Sequence, residues 1–211
     1  GIPFSDPIAE GIVIQQADER ALAGGCNVDK LFEMVRKIRR RIAVPLLFMT
    51  YVNPIFRYGK ERFMMNCREC GIDGVIVPDL PFEERDELKN ECDKYEITLV
   101  SMITPTTGDR VGRIAKEAEG FLYCVSSLGV TGIREEINTN IADMIRKVKA
   151  VSPIPCAVGF GISTPEHVRQ IVKISDGVIV GSAIVRMVSE HGKNSVEPVK
   201  EFVKQLKAGT L

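Results

Sequence analysis

Short apolar runs alternate with amphipathic stretches along the chain from Asn27 onward. The amphipathic stretches predict helices, and the apolar runs bounded by turn residues predict buried strands. The predicted helices are Asn27–Ile42, Lys60–Cys70, Phe82–Tyr95, Asp109–Glu119, Ile141–Val151, Pro165–Ile174 and Val196–Lys207, and a further helical pattern, IVIQQADERAL, follows the opening loop. The predicted strands are Val44–Tyr51, Gly74–Asp79, Ile97–Ile103, Phe121–Ser126, Ile154–Gly159 and Gly177–Val180.

The predicted strands are apolar throughout rather than alternating, as in LLFM at 46–49 and FLYCV at 121–125. Strands of this kind are typical of a parallel sheet that helices cover on both faces. The sequence therefore predicts an α/β protein with six βα units. An open doubly wound sheet and a closed barrel give the same local pattern, so periodicity does not choose between them.

Composition and charge fit one domain over residues 1–211, since 45% of the residues are hydrophobic and can form a sizeable core. The 28 basic and 28 acidic residues cancel and are scattered along the chain, which argues against nucleic acid or an anionic membrane as a partner. No apolar run is long enough for a membrane span, and no signal-peptide pattern is seen. We expect a cytoplasmic protein that binds a small, neutral or locally anionic ligand.

Cysteine and histidine do not form a metal-binding pattern. Cys67 and Cys70 make a lone CxxC on one face of a predicted helix, without the further ligands that zinc needs, so we expect reduced thiols packed in the core. His167 and His191 are isolated on polar helical segments and are expected at the surface.

Glycine-bearing turns follow the last three predicted strands, at Gly129–Gly132, Gly159–Ser163 and Gly181–Ala183. Glycine lets backbone N–H groups approach an anion, and a helix N-terminus adds partial positive charge, so these turns predict a phosphate site. The last two turns contain no lysine or arginine, which favours capture by backbone N–H groups. The alternative is that each glycine only turns the chain.

A phosphate site after the last two strands indicates the fold. In TIM (β/α)8 barrels such a site is characteristically built by the loops after strands seven and eight. If the last two strands of this chain are those two, the first two strands and the first helix of the barrel are missing upstream. We therefore predict a TIM barrel that is incomplete at its N-terminus and retains six βα units.

The opening segment, GIPFSDPIAEG at 1–11, is the most informative stretch. It begins without methionine, in what we expect to be the middle of a loop. Asp6 and Glu10 are carboxylates in this glycine- and proline-shaped loop, where each is a candidate catalytic group. Each could equally cap the following helix.

The opening segment resembles the tryptophan synthase alpha chain family, whose hallmark is G-x-P-F-S-D-P-x-A-D/E-G. Further matching motifs run in order along essentially the whole chain: MTYVNPIFRYG at 49–59, VPDLP at 77–81, SxxGVTG at 126–132, GFGIS at 159–163 and GSAIV at 181–185. Gln15, Ala17, Arg20 and Ala21 extend the match into the first helix. Motifs of this number and length are very specific.

The resemblance implies a carbon–carbon lyase of tryptophan biosynthesis, which cleaves indole-3-glycerol phosphate to indole and glyceraldehyde 3-phosphate by a retro-aldol step. It implies no cofactor in this chain, with pyridoxal phosphate only in a beta chain that joins it in an α2β2 complex. Such cleavage needs a group that protonates the indole carbon, a base for the glycerol hydroxyl proton, and a carboxylate that stabilises positive charge on the indole nitrogen.

The resemblance also assigns site residues. The acid–base glutamate would lie two residues before Gly1, and the second carboxylate, usually aspartate, aligns with Glu10, whose extra methylene changes its reach by about an ångström. Tyr123 aligns with an active-site tyrosine, although the sequence alone favours a core aromatic. Thr131 aligns with a threonine on a lid, Leu128–Asn140, that contacts the second carboxylate on closure. The expected substrate-binding residues are Phe4, Thr131, Gly132, Phe160, Gly161, Gly181 and Ser182, with Ala183 adding backbone contact. Leu46, Phe48 and Tyr51 are further candidates for the indole pocket, and each of these three, like Phe4, could equally be core.

The resemblance also implies that the beta chain contacts Asn53–Pro54, the lid, and the loop from Pro78 to Pro81, in which Asp79 and Pro81 are the expected contacts. A proline-rich loop could instead be only a rigid turn. Because the upstream glutamate is absent from the sequence, we expect the 211-residue chain alone to be inactive, and the missing segment to exist in the natural protein. Two other functions stay open: a non-catalytic, phosphate-binding regulator of the beta chain, and another phosphate-binding barrel such as a sugar-phosphate isomerase.

Overall fold

The computed structural model describes residues 1–125, 135–159 and 161–210, and for residues 135–140 it describes the backbone alone. The chain divides into two compact units, Gly1–Val100 and Ser101–Leu211, which we describe separately. The expectation of a single domain over residues 1–211 stays a prediction.

Unit 1 contains a parallel sheet of the strands β1 (Leu47–Met49), β2 (Gly74–Ile76) and β3 (Thr98–Val100), in that order. Leu47 pairs with Gly74, and Gly74 pairs with Thr98. The helices of this unit are α1 (Ile12–Ala23), α2 (Val28–Arg39), α3 (Val52–Tyr58), α4 (Lys60–Cys70) and α5 (Asp86–Lys94), with a 3-10 turn at Phe82–Glu84.

Aromatic side chains form the centre of the unit 1 core. Phe32 of α2 lies 5.7 Å, centroid to centroid, from Phe48 of β1 and 5.4 Å from Phe63 of α4. All three side chains are buried. This cluster joins the sheet to two of the helices that cover it and fixes β1, whose carboxyl end carries the candidate site.

Unit 2 contains a parallel sheet in the order β4 (Met102–Ile103), β5 (Leu122–Val125), β6 (Cys156–Gly159) and β7 (Gly177–Ile179). Tyr123 pairs with Ala157, and Ala157 pairs with Gly177. The helices are α6 (Val111–Glu117), α7 (Glu135–Lys149), α8 (Pro165–Ile171), α9 (Ser182–His191) and α10 (Val196–Ala208), with 3-10 turns at Pro105–Arg110 and Gly192–Asn194.

A carboxylate clamp closes the amino end of the sheet in unit 1. Asp73, which precedes β2, accepts a hydrogen bond from the N–H of Leu46 at 2.7 Å, and its own N–H donates to the Leu46 carbonyl at 2.8 Å. Arg39, at the end of α2, donates both to the Asp73 carboxylate and to the carbonyl of Val44. The clamp thus ties the helix end and the starts of two strands together.

The same clamp recurs in unit 2. Asp176, which precedes β7, accepts from the Cys156 N–H at 2.7 Å and donates its own N–H to the Cys156 carbonyl at 2.9 Å. Lys149, at the end of α7, donates to Asp176 at 2.7 Å and to the Ile154 carbonyl at 3.0 Å. The hydrogen bond from Lys149 and, to a smaller extent, the hydrogen bond from the Cys156 N–H hold the pKa of Asp176 below its ordinary value. Both aspartates open an identical sequence, DGVIV, at 73–77 and 176–180.

The predicted elements are confirmed, with some shifted bounds. The strand predicted over Ile97–Ile103 is divided between β3 and β4, which belong to different sheets. The helix predicted from Ile141 begins at Glu135. The strand predicted over Phe121–Ser126 is β5, and its predicted last residue, Ser126, lies outside the described residues. The helices α3 and α9 are not among the predicted helices; for α9, only a helical turn after Gly181 is predicted.

The cysteines are free thiols, as expected, and Cys67 and Cys70 are buried. Burial raises the pKa of the Cys67 thiol, so it stays protonated. His191 is exposed, whereas His167 is partly buried and its Nδ1 accepts from the Ser163 N–H at 3.3 Å. Within the described ranges, no helix is long and apolar enough to cross a membrane, and no group of three or more metal-ligating side chains occurs.

Candidate active site

The opening loop lies beside the carboxyl end of β1. The N–H of Ile2 donates to the carbonyl of Met49 at 2.9 Å, and the Ile2 side chain is buried. The loop then turns through residues 3–10 before α1 begins. This anchoring places the loop next to Tyr51, which directly precedes α3.

Glu10 and Tyr51 are joined at this edge of the sheet. The Tyr51 hydroxyl donates to Oε2 of Glu10, and the hydroxyl oxygen itself accepts from the N–H groups of Ile8 at 3.1 Å and Ala9 at 2.8 Å. Burial, with the hydrogen bond to Glu10, raises the pKa of Tyr51 to about 12. The phenol therefore remains a hydrogen-bond donor to the carboxylate at neutral pH.

Neither carboxylate of the opening loop caps the following helix. Gly11, which has no side chain, is the N-cap of α1, and among the described residues no carboxylate accepts a hydrogen bond from the N–H groups that open this helix. The Glu10 backbone carbonyl accepts from Gln15 Nε2 at 2.8 Å, while its carboxylate faces Tyr51. Asp6 is exposed and accepts from the Ser5 hydroxyl at 2.6 Å. The capping alternative is therefore wrong for both residues.

A second carboxylate, Asp18 of α1, lies close to this loop. Burial raises its pKa, the Phe4 N–H acts in the opposite direction, and the neighbouring charge of Glu10 raises it further. Asp18 is not among the residues predicted for the site, because on a predicted helix with other charged residues it looks like any other surface acid.

The apolar residues proposed for the indole pocket separate into two groups. The ring of Phe4 packs against Tyr51, with centroids 5.4 Å apart. Phe48 belongs to the aromatic core instead, and Leu46 begins the clamp at the opposite end of β1. Strand alternation turns Met49, which is 36% exposed, away from the Phe48 face. Met49 is thus a better pocket candidate than either, although nothing in the sequence distinguishes it.

The loop after β2 is tied to the same edge. Asp79 Oδ1 accepts from the N–H of Val52, the first residue of α3, at 2.9 Å. This hydrogen bond caps α3 and fixes the chain immediately after Tyr51. Asp79 therefore has a structural role within this chain, whatever else it contacts.

In unit 2, Tyr123 of β5 packs directly over Gly159, the last residue of β6. A Cβ atom on Gly159 would lie 2.3 Å from the Tyr123 hydroxyl oxygen, so only glycine permits this packing. Tyr123 is 7% exposed, and burial raises its pKa. Its hydroxyl therefore stays protonated beside the glycine turn.

Replacing Gly159 with alanine should displace the Tyr123 ring. We expect a loss of about 1–3 kcal/mol in the free energy of unfolding, because the added methyl overpacks the site. Chemical denaturation of Gly159→Ala measures this loss. The control is Gly177→Ala on the neighbouring strand, where, within the described part of the chain, the added Cβ would meet only Ala157 Cβ at 3.8 Å. Equal stability of the two variants would contradict the close approach of Tyr123 to Gly159.

The glycine turns of unit 2 expose backbone at the carboxyl ends of β6 and β7. Gly161 adopts φ +75°, a conformation that favours glycine, and is exposed. Gly181 is the N-cap of α9, and the first hydrogen bond of the helix runs from Ile184 N to Gly181 O, so the N–H groups of Ser182 and Ala183 precede the intrahelical pattern. Such a helix start favours an anion. Thr131, Gly132 and Phe160 lie outside the described residues, as does most of the lid.

The chain matches known proteins over nearly its whole length. The family model for the tryptophan synthase alpha chain matches residues 1–210. This chain belongs to the tryptophan synthase alpha chain family. Its similarity to the alpha chain of Lacticaseibacillus casei is 43% identity over 207 residues, covering 98% of this chain and 78% of that protein. For Methanocaldococcus jannaschii the identity is 50% over 193 residues, covering 90% and 69%.

Solved structures agree with this family. The α2β2 tryptophan synthase complex of Pyrococcus furiosus contains a chain with a TM-score of 0.89 and 39% identity, covering 98% of this chain and 84% of that one. Tryptophan synthase subunit alpha of Legionella pneumophila gives 0.87 and 36%, covering 99% and 79%. The TIM-barrel class predicted for this chain is therefore confirmed, as is its assignment to the lyases of tryptophan biosynthesis. The roles of individual residues stay predictions.

Proposed function

We propose that this tryptophan synthase alpha chain cleaves indole-3-glycerol phosphate to indole and glyceraldehyde 3-phosphate, with Glu10 as the carboxylate that faces the indole nitrogen. The observation that supports the proposal is the direction in which the Glu10 side chain points. It does not cap α1 but meets the Tyr51 phenol at the carboxyl end of β1. Carboxyl ends of strands are where barrel enzymes place catalytic groups.

The reaction needs charge stabilisation at the indole nitrogen. Protonation of the indole carbon that carries the glycerol chain puts positive charge on the ring, and an adjacent carboxylate stabilises that charge. Removal of the proton from the neighbouring glycerol hydroxyl then breaks the carbon–carbon bond, leaving the aldehyde and indole. We assign the stabilising role to Glu10, and the proton transfers to the glutamate that would lie two residues before Gly1.

Backbone N–H groups at Gly161, Gly181 and Ser182 are proposed to hold the substrate phosphate. The exposed turn at Gly161 and the start of α9 supply donors without a charged clamp. We propose that Gly132, Phe160 and Ala183 add contacts to the phosphate site. Phe4, Tyr123 and Thr131 complete the proposed site, with Phe4 beside the indole.

The remaining proposals concern cofactor, partner and location. We propose that the chain uses no cofactor of its own and acts with a beta chain that uses pyridoxal phosphate and receives the indole. The contacts proposed for that partner are Asn53–Pro54, Asp79 and Pro81. Location in the cytoplasm stays a prediction.

The test is an indole-release assay on the protein produced from its full gene. We expect release from indole-3-glycerol phosphate and no turnover of triose phosphates. A variant in which the glutamate that the resemblance places upstream of Gly1 is changed to glutamine tests the proton transfers: indole release equal to that of the wild type would overturn this role. A wild-type protein that releases no indole would instead favour a regulatory partner.

A further inference from the structure

A single oxygen atom organises the opening loop. The hydroxyl oxygen of Tyr51 accepts the N–H groups of Ile8 and Ala9, and its proton goes to the carboxylate of Glu10. It thus contacts three consecutive residues of the loop. The position of the Glu10 carboxylate and the path of the backbone leading to it depend on the same phenol.

Tyr51 is itself held firmly. The residue before it, Thr50, donates its N–H to the Ile76 carbonyl of β2 at 3.0 Å, and the residue after it, Val52, donates to Asp79 at 2.9 Å. Tyr51 is 4% exposed, and its ring packs against Phe4. Tyr51 is therefore held in place beside the carboxyl end of the sheet, while Glu10 lies on a loop without regular structure. A loop carboxylate gains precision from such a support.

We propose that Tyr51 is a positioning residue for the cleavage step: its hydroxyl sets the place and direction of the Glu10 carboxylate. This inference rests on the proposed function, because it gives Tyr51 no contact with the reacting atoms and lets it act only through Glu10. Another carboxylate close to Glu10 is that of Asp18 on α1. The charges of Asp18 and Glu10 interact, but among the described contacts Asp18 makes no hydrogen bond to the Tyr51 hydroxyl.

The kinetic test compares Tyr51→Phe in two backgrounds. In the otherwise wild-type protein, Tyr51→Phe should lower kcat about tenfold or more and leave KM within about twofold, since misplacing a catalytic group by an ångström is costly while phosphate binding is untouched. In a Glu10→Ala background the same change should lower kcat less than about twofold, because residues that act as a unit are not additive.

The matched control is Tyr58→Phe. Tyr58 also donates its hydroxyl to a carboxylate, that of Asp29, and also belongs to unit 1, but it lies in the aromatic cluster with Phe32 and Phe63. This variant should keep kcat and KM within about twofold of the wild-type values. A fall in kcat equal to that of Tyr51→Phe would mean that general destabilisation explains both.

A spectroscopic test does not require the Tyr51→Phe variant to fold. In protein labelled with carbon-13 at the tyrosine Cζ, Glu10→Ala should shift the Tyr51 resonance and leave those of Tyr58, Tyr95 and Tyr123 in place. An unchanged Tyr51 resonance, or an equal kinetic effect of Tyr51→Phe in both backgrounds, would overturn the inference alone. A wild-type protein that releases no indole would overturn the proposed function and this inference with it.

Discussion

Glu10→Gln should lower kcat for indole release by about 100- to 1000-fold, the range seen when one preorganised electrostatic group is removed from an active site. The amide keeps the size and hydrogen-bonding reach of the side chain but removes its negative charge. That negative charge is what stabilises the positive charge developing on the indole nitrogen. KM should change little, because the proposed phosphate contacts lie on unit 2 and are unaltered. Steady-state assays over a range of substrate concentration separate the two constants.

The control for that experiment is Glu19→Gln. Glu19 is an exposed glutamate on α1 of the same unit, so the variant makes the same chemical change outside the site. It should retain full activity. If Glu10→Gln retained wild-type kcat and instead raised KM, Glu10 would be a binding group and not a stabiliser of the transition state.

Local sequence signals predict the regular elements well. The predicted helix Lys60–Cys70 has the bounds seen in the structure, because glycine flanks it at both ends. The helix α3 escapes prediction since its sequence, VNPIFRY, looks like a turn. Its cap comes from Asp79, which lies 27 residues further along the chain. A local pattern cannot reveal a cap that only the tertiary fold supplies.

In the candidate site, too, local sequence signals predict some features, whereas others depend on contacts between distant parts of the chain. The opening segment identifies Glu10 as a candidate, but nothing local indicates its partner, because Tyr51 is 41 residues away. The sequence predicts only that Tyr51 belongs either to the indole pocket or to the core. In the structure Tyr51 is buried, and its hydroxyl forms hydrogen bonds with the opening loop. Gly159 is predicted as a turn glycine, whereas its close approach to Tyr123 is a packing requirement.

The repeated clamp has a clear signature in the sequence, although none of the predicted elements rests on it. DGVIV occurs twice, and in both places a basic residue lies five positions before the carbonyl that it binds, Arg39 before Val44 and Lys149 before Ile154. The repeat identifies equivalent βα units in the two halves of the chain. Both clamps lie at the amino ends of the strands, where barrel residues serve stability, away from the carboxyl ends that carry the site.

Ser182→Asp should separate stability from binding. Ser182 begins α9, and an acidic group in the first turn of a helix stabilises it by roughly 0.3–1 kcal/mol. The same charge would face the substrate phosphate if that group rests on Gly181 and Ser182. Repulsion between like charges a few ångströms apart near a protein surface amounts to several kcal/mol before screening, so we expect KM to rise about 100-fold or more.

The expected gain in stability and the expected loss of substrate binding have opposite signs, which makes the result specific. Thermal denaturation should show equal or higher stability for Ser182→Asp, so weak binding could not be ascribed to unfolding. Ser195→Asp, at the start of α10, adds the same charge at another helix N-terminus and should leave KM unchanged. High salt should partly restore binding to Ser182→Asp, because it screens exposed charges. A KM that rose equally in both variants would show that net charge, and not a phosphate at the start of α9, governs binding.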